Sequence, residues 1–139
     1  MTQIDFYIHT ENKLQTACVL SAKAVACGMR VMIFTSDREA SAKLDGLLWS
    51  YSATGFVPHC AASDPLAATT PVIIDHAGEN LLHDGLLLNL RSEWPPFFTR
   101  FARLIEIIGH DETDKQQGRE RYRFYRDRGY EIRSHDLGK

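Results

Sequence analysis

Four apolar residues in a row, Val31 to Phe34 in "RVMIFTS", leave that stretch no polar side to turn toward solvent. A run so short and rich in β-branched and bulky side chains reads as a strand covered on both faces, and such strands belong to parallel sheets with helices above and below. The segments around it fit that architecture. "QIDFYIHT" alternates apolar Ile4, Phe6 and Ile8 with other residues, the period of a half-buried strand. Between the two, "NKLQTACVLSAKAVACG" places Leu14, Ala17, Cys18, Ser21, Ala22 and Val25 on one helical stripe, and Gly28 stands where a left-handed cap ends a helix. The small residues on that stripe point to close packing on a sheet. The Val31–Phe34 strand is expected to pair in parallel with the first.

Ser36 followed by Glu39 has the spacing of a capping box, which predicts a second helix carrying Ala40, Leu44, Leu47 and Leu48 toward Trp49. "TPVIIDH" and "GLLLNL" read as two more strands separated by the turn-prone "AGEN". Pro95-Pro96 then suits the first turn of a third helix, with Phe97, Phe101, Leu104, Ile105 and Ile108 on one stripe, Arg100 and Arg103 opposite, and Gly109 closing it. Asp111 is placed to cap a last helix that stops at Gly129, before a terminal strand or edge in "YEIRSHDL". Strands alternating with helices define an α/β fold. At 139 residues the chain has the length of one domain, 1–139, burying roughly two-thirds of its unfolded surface.

A formal charge of −2 argues against a protein that coats nucleic acid or anionic membrane with its whole surface. The opening "MTQIDFYIHT" has no basic and apolar leader, and no apolar run approaches the roughly 18 residues of a membrane span. A cytoplasmic protein is expected. Cys18, Cys27 and Cys60 form an odd set without a C-x-x-C pair, as suits a reducing compartment.

The first strand-to-helix turn, "YIHTENKLQ", contains no glycine, and neither a Walker loop nor a G-x-G-x-x-G fingerprint occurs anywhere. His9, His59, His76, His83, His110 and His135 are scattered without metal-ligand spacing, and no serine sits in G-x-S-x-G. No catalytic residue, cofactor or metal is therefore expected.

What the chain does carry is "GRERYRFYRDRGY", with five arginines, three tyrosines and a phenylalanine in thirteen positions. At roughly 100° per residue, Lys115, Arg119, Tyr122, Arg123 and Arg126 fall on one side of a helix within about sixty degrees of Arg119. Pattern alone does not say which of Arg121, Phe124, Tyr125 and Arg128 pack inward. Like charges on one face repel by about a few tenths of a kcal/mol per pair, and an anion visiting the face would relieve them. Gly118 interrupts this helix at about 1 kcal/mol relative to alanine. A second cluster, Trp49, Tyr51, Phe56 and Val57 in "LLWSYSATGFVPH", offers aromatics of the kind that either cover a core or anchor an interface.

"LDGLLWSYSATGFVPH", "PVIID", "LLLNLRSEWPPFFTRFARLIEII" and "RERYRFYRDRGYEI" together resemble the chi subunit family of bacterial DNA polymerase III, across nearly the whole chain. The resemblance implies a single-domain, three-layer Rossmann-like α/β fold with a mostly parallel sheet and no phosphate-binding loop. It implies a non-catalytic adaptor between the clamp loader, through the psi subunit, and the acidic C-terminal tail of single-stranded DNA-binding protein. The tail site then falls on Lys115, Arg119, Tyr122, Arg123 and Arg126, with Ile108, from the helix expected before it, lining the pocket for the tail's terminal phenylalanine. The psi face, which a repair helicase can share in the family, falls on Trp49, Phe56 and Pro58. Two other classes stay open: a direct binder of single strands, arginines on phosphates and tyrosines on bases, and an enzyme with a degenerate nucleotide pocket.

Overall fold

The computed structural model describes residues 1–50, 57–79 and 81–138. Its centre is a seven-stranded sheet in which every pairing is parallel. In chain order the elements are β1 (Gln3–Thr10), α1 (Lys13–Ala26), β2 (Val31–Phe34), α2 (Arg38–Ser50), β3 (His59–Ala61), β4 (Val72–Asp75), β5 (Leu86–Asn89), β6 (Arg103–Gly109), α3 (Glu112–Asp127) and β7 (Ile132–Asp136). The strands lie in the order β3-β4-β2-β5-β6-β1-β7.

Period-two alternation sorts the core into two layers. Val31, Ile33, Leu86, Leu88, Ile105 and Ile107 face α1 and α2, where Ala17, Cys18, Leu44 and Leu48 meet them. Met32, Phe34, Leu87, Leu104 and Ile108 face the other way, against Phe98, Phe101 and Tyr125 of α3. Burial of each large apolar side chain contributes about 1.5–3 kcal/mol, so strands that are apolar on both sides gain most in the middle of the sheet. That same preference overturns one expectation. β2 pairs with β4 and β5, not with β1, because the doubly apolar β5 and β6 take the central places between them. β1 pairs instead with β6 and with the polar edge strand β7.

Three local expectations are also corrected. The stretch expected as a helix from Pro95 is a 3-10 turn at Phe98–Arg100 followed by β6. Leu104, Ile105, Ile107 and Ile108 are buried on alternate faces, which no single helical stripe satisfies. α2 is capped by Asp37, whose Oδ1 accepts from the Ala40 N–H at 2.8 Å, rather than by Ser36. His59–Ala61, not read as a strand from sequence, extends the sheet beyond β4. Among the described residues no helix is long and apolar enough to cross a membrane.

Candidate functional site

α3 begins as the sequence suggests, with the Asp111 carboxylate accepting from the Asp114 N–H at 3.2 Å, and Gly129 ends it at φ 84°. Its inner side is Gly118, Arg121 and Tyr125, all buried. The burial of an arginine is unexpected from its type, and its partner explains it. Glu106, projecting from β6 and fully buried, accepts from Arg121 Nε at 3.0 Å, from Tyr125 Oη at 2.6 Å and from Asn89 Nδ2 at 3.0 Å. Burial pushes the Glu106 carboxyl above its ordinary range, and Arg121, Tyr125 and Asn89 oppose that push. Burial and the Glu106 charge likewise push the Tyr125 phenol up. Arg121 Nη1 also donates to the Ser92 carbonyl at 2.6 Å, tying α3 to the loop before β6. Arg121 and Tyr125 thus point in, Phe124 is half-buried against Trp94, and Arg128 is exposed and stacks on Phe124 at 3.7 Å.

With Arg121 and Tyr125 anchored, the neighbouring side of α3 borders a pocket of about 240 Å³. Four of the residues singled out in the sequence come together there: Ile108, Lys115, Arg119 and Tyr122. Ile108 reaches it from β6, a strand and not a helix. The sheet supplies the rest of the lining through Phe6, Ile8, His9, Gly109 and Ser134, and Gly118 lies between. Tyr122 meets Phe6 edge to face at 5.4 Å, so an apolar floor adjoins its phenol. Arg119 is exposed and donates to Gln116 Oε1 at 3.2 Å.

Arg123 and Arg126 do not line this pocket; both are exposed further along the helix. The cationic side is also less bare than its sequence suggests. Lys115 Nζ lies 3.6 Å from Glu112, one turn earlier, and Arg126 Nη2 lies 3.2 Å from Asp127, because flexible side chains reach around the helix. Sequence reasoning missed the lining from β1 and β7, whose closeness is a product of the sheet order. It had one usable signal for the rest, a glycine inside a helix.

The second candidate face lies across the sheet. Trp49, in the last turn of α2, is 62% exposed and meets His59 edge to face at 5.2 Å. Pro58, next to His59 in the chain, is exposed as well. Phe56 and Tyr51 lie outside the described residues. Since α2 packs on the face opposite α3, the two candidate sites sit on opposite sides of the sheet.

The turn after β1 shows what stands where a phosphate loop would be. Asn12 Oδ1 accepts from the Gln15 N–H at 3.1 Å, capping α1 with the protein's own side chain, and Lys13 pairs with Asp114 at 3.2 Å. Among the described residues no three His, Cys, Asp or Glu side chains are grouped to hold a metal ion.

Fold and site together define a Rossmann-like parallel α/β protein with a largely apolar pocket, rimmed by Lys115 and Arg119, beside α3. The comparison with solved structures agrees on the fold: the C-terminal domain of the DEAD-box protein Dbp5 superposes with a TM-score of 0.65 at 12% identity, over 100% of this chain and 92% of that one. Residues 1–133 match the family described as DNA polymerase III chi subunit, HolC, and the chain belongs to that family. The DNA polymerase III subunit chi of Pseudomonas aeruginosa is 35% identical over 99% of this chain and 98% of its own length. Its namesake in Haemophilus influenzae is 33% identical over 96% of each chain, and that of Escherichia coli 30% identical over 85% of this chain and 81% of its own. The chain is therefore related to accessory proteins of bacterial DNA replication.

Proposed function

We propose that the protein is a non-catalytic cytoplasmic adaptor of the replicase, holding the acidic C-terminal tail of single-stranded DNA-binding protein in the α3 pocket and the psi subunit of the clamp loader on the Trp49, Phe56 and Pro58 face. The observation that carries this reading is the meeting of Ile108, Lys115, Arg119 and Tyr122 around one cavity. An apolar terminal ring has Ile108 and Phe6 to rest on, and carboxylates have guanidinium and ammonium groups at the rim. Opposite placement of the two faces lets both partners be held at once, as linkage requires. In this reading, 1–139 works as one domain, and single-stranded DNA is reached through its coating protein rather than directly.

Fluorescence anisotropy on three probes tests the reading: an acidic peptide ending in phenylalanine, the same peptide without its last residue, and a bare oligonucleotide. Arg119→Ala should lower affinity for the full peptide at least tenfold, about 1.4 kcal/mol, and deletion of the phenylalanine should lower it as much. Equal losses on peptide and oligonucleotide would instead favour direct nucleic-acid binding.

A further inference from the structure

β1 carries one residue more than the strand beside it. Tyr7 is level with Ile107 and Thr10 with Gly109, so Ile8 and His9 together stand opposite Ile108. Successive residues of a regular strand point to opposite faces, whereas a bulge re-aims them. Both Ile8 and His9 line the pocket. His9 does so with φ at 57°, the one non-glycine residue in the left-handed region among those described. Such a conformation persists only where the surroundings enforce it. Here Asp136 of β7 holds the ring, with Oδ1 2.8 Å from His9 Nδ1, and Gly138 packs so closely that a Cβ there would lie 2.9 Å from His9 Cβ. A carboxylate only accepts, so Nδ1 is the donor, and when the ring carries that single proton Nε2 is left as an acceptor. No described residue bonds Nε2.

We propose that the bulge is a binding device: it makes His9 a wall of the pocket, where Nε2 accepts the main-chain N–H of the ligand's last residue while Lys115 and Arg119 take its carboxylates. This rests on the reading of the pocket as a site for a peptide tail. Glycine adopts the left-handed region without strain, so His9→Gly separates the two roles a strained residue can have. The expected result is an unchanged or higher Tm together with an at least fivefold loss of affinity for a synthetic acidic peptide ending in phenylalanine. His9→Asn, whose shorter side chain also tolerates this backbone region, carries the same expectation should glycine loosen the bulge. With a peptide whose last amide is replaced by an ester, and which therefore lacks that N–H, wild-type protein and variant should bind alike. Unchanged affinity in both variants overturns the proposal, and so does an equal loss on amide and ester peptides. Arg119→Ala, measured in parallel, tells the two levels apart. If it loses affinity while the His9 variants do not, only the role of His9 falls; if it too binds normally, or the wild-type protein binds no peptide, the reading of the pocket falls as well.

Discussion

Gly118 of α3 sits directly on Ile108 of β6: a Cβ built on it would lie 2.7 Å from Ile108 Cδ1 and 3.2 Å from Cγ1. The missing side chain is what lets the helix approach the strand and brings Lys115 and Arg119 to the edge of the same pocket that Ile108 floors. In an open helix Gly→Ala would stabilise by about 1 kcal/mol. Gly118→Ala is expected to do the reverse, lowering Tm, because overpacking typically costs about 1–3 kcal/mol. Ile108→Val removes the atom that clashes, so the double variant should be more stable than the sum of the two single effects. Thermal melts of the four proteins in this cycle check it, and strict additivity would show that the contact is not tight.

Glu106→Gln is expected to destabilise by about 3–5 kcal/mol, since it leaves the buried Arg121 guanidinium without its counter-charge. Replacing the pair together, Glu106→Leu with Arg121→Met, should recover much of that loss. Urea unfolding of the three proteins separates a charge that is merely stranded from one that stabilises the fold.

Trp49→Ala should weaken binding to psi by about 2 kcal/mol or more if the side chain anchors that interface. Because Trp49 is 62% exposed, its Tm should stay nearly the same. Calorimetric titration beside a thermal melt decides the matter: a large fall in Tm with normal binding would make the indole a cover for the core.

The acid limb of the stability curve should carry the mark of Asp5. Burial alone would raise its carboxyl, but hydrogen bonds from Arg103 and His135, with their charges, hold it below its ordinary value. A carboxylate lowered on folding contributes stability that is present above its unfolded pKa, about 3.9, and is lost as pH falls through the lower folded value. Asp5→Asn should thus be less stable than wild type at neutral pH, and the difference should shrink below about pH 4. A gap that stays constant on acidification would remove Asp5 from the account.

The rim of the candidate site was legible in the sequence because helical periodicity is local. A helix from Asp111 to Gly129 puts Lys115, Arg119 and Tyr122 on one side whatever it packs against. Arg123 and Arg126 share that side and yet stand off the pocket, since the wheel gives direction around the axis and not position along a neighbouring strand. The inward turn of Arg121 was hidden for a similar reason. Its carboxylate partner lies 15 residues away on a strand that the sequence presented as a helix, so neither half of the pair announced the other. "RFARLIEII" misleads in this way because apolar residues spaced three and four apart also fit a strand buried on both faces.

By itself the sequence determined that Val31–Phe34 must be covered on both sides, where α3 begins and ends, and that the first turn has no glycine to admit a phosphate. All three follow from short-range chemistry: side-chain polarity, capping groups and the backbone freedom of single residues. Only the tertiary structure decided the order of the strands, because that order depends on which strands compete best for the centre of the sheet, a comparison among segments far apart in the chain. From the strand order came the rest, since inserting β5 and β6 between β2 and β1 sets β1 beside β6, and the bulge at His9 and the gap at Gly118 exist only as relations of β1 and α3 to Ile108.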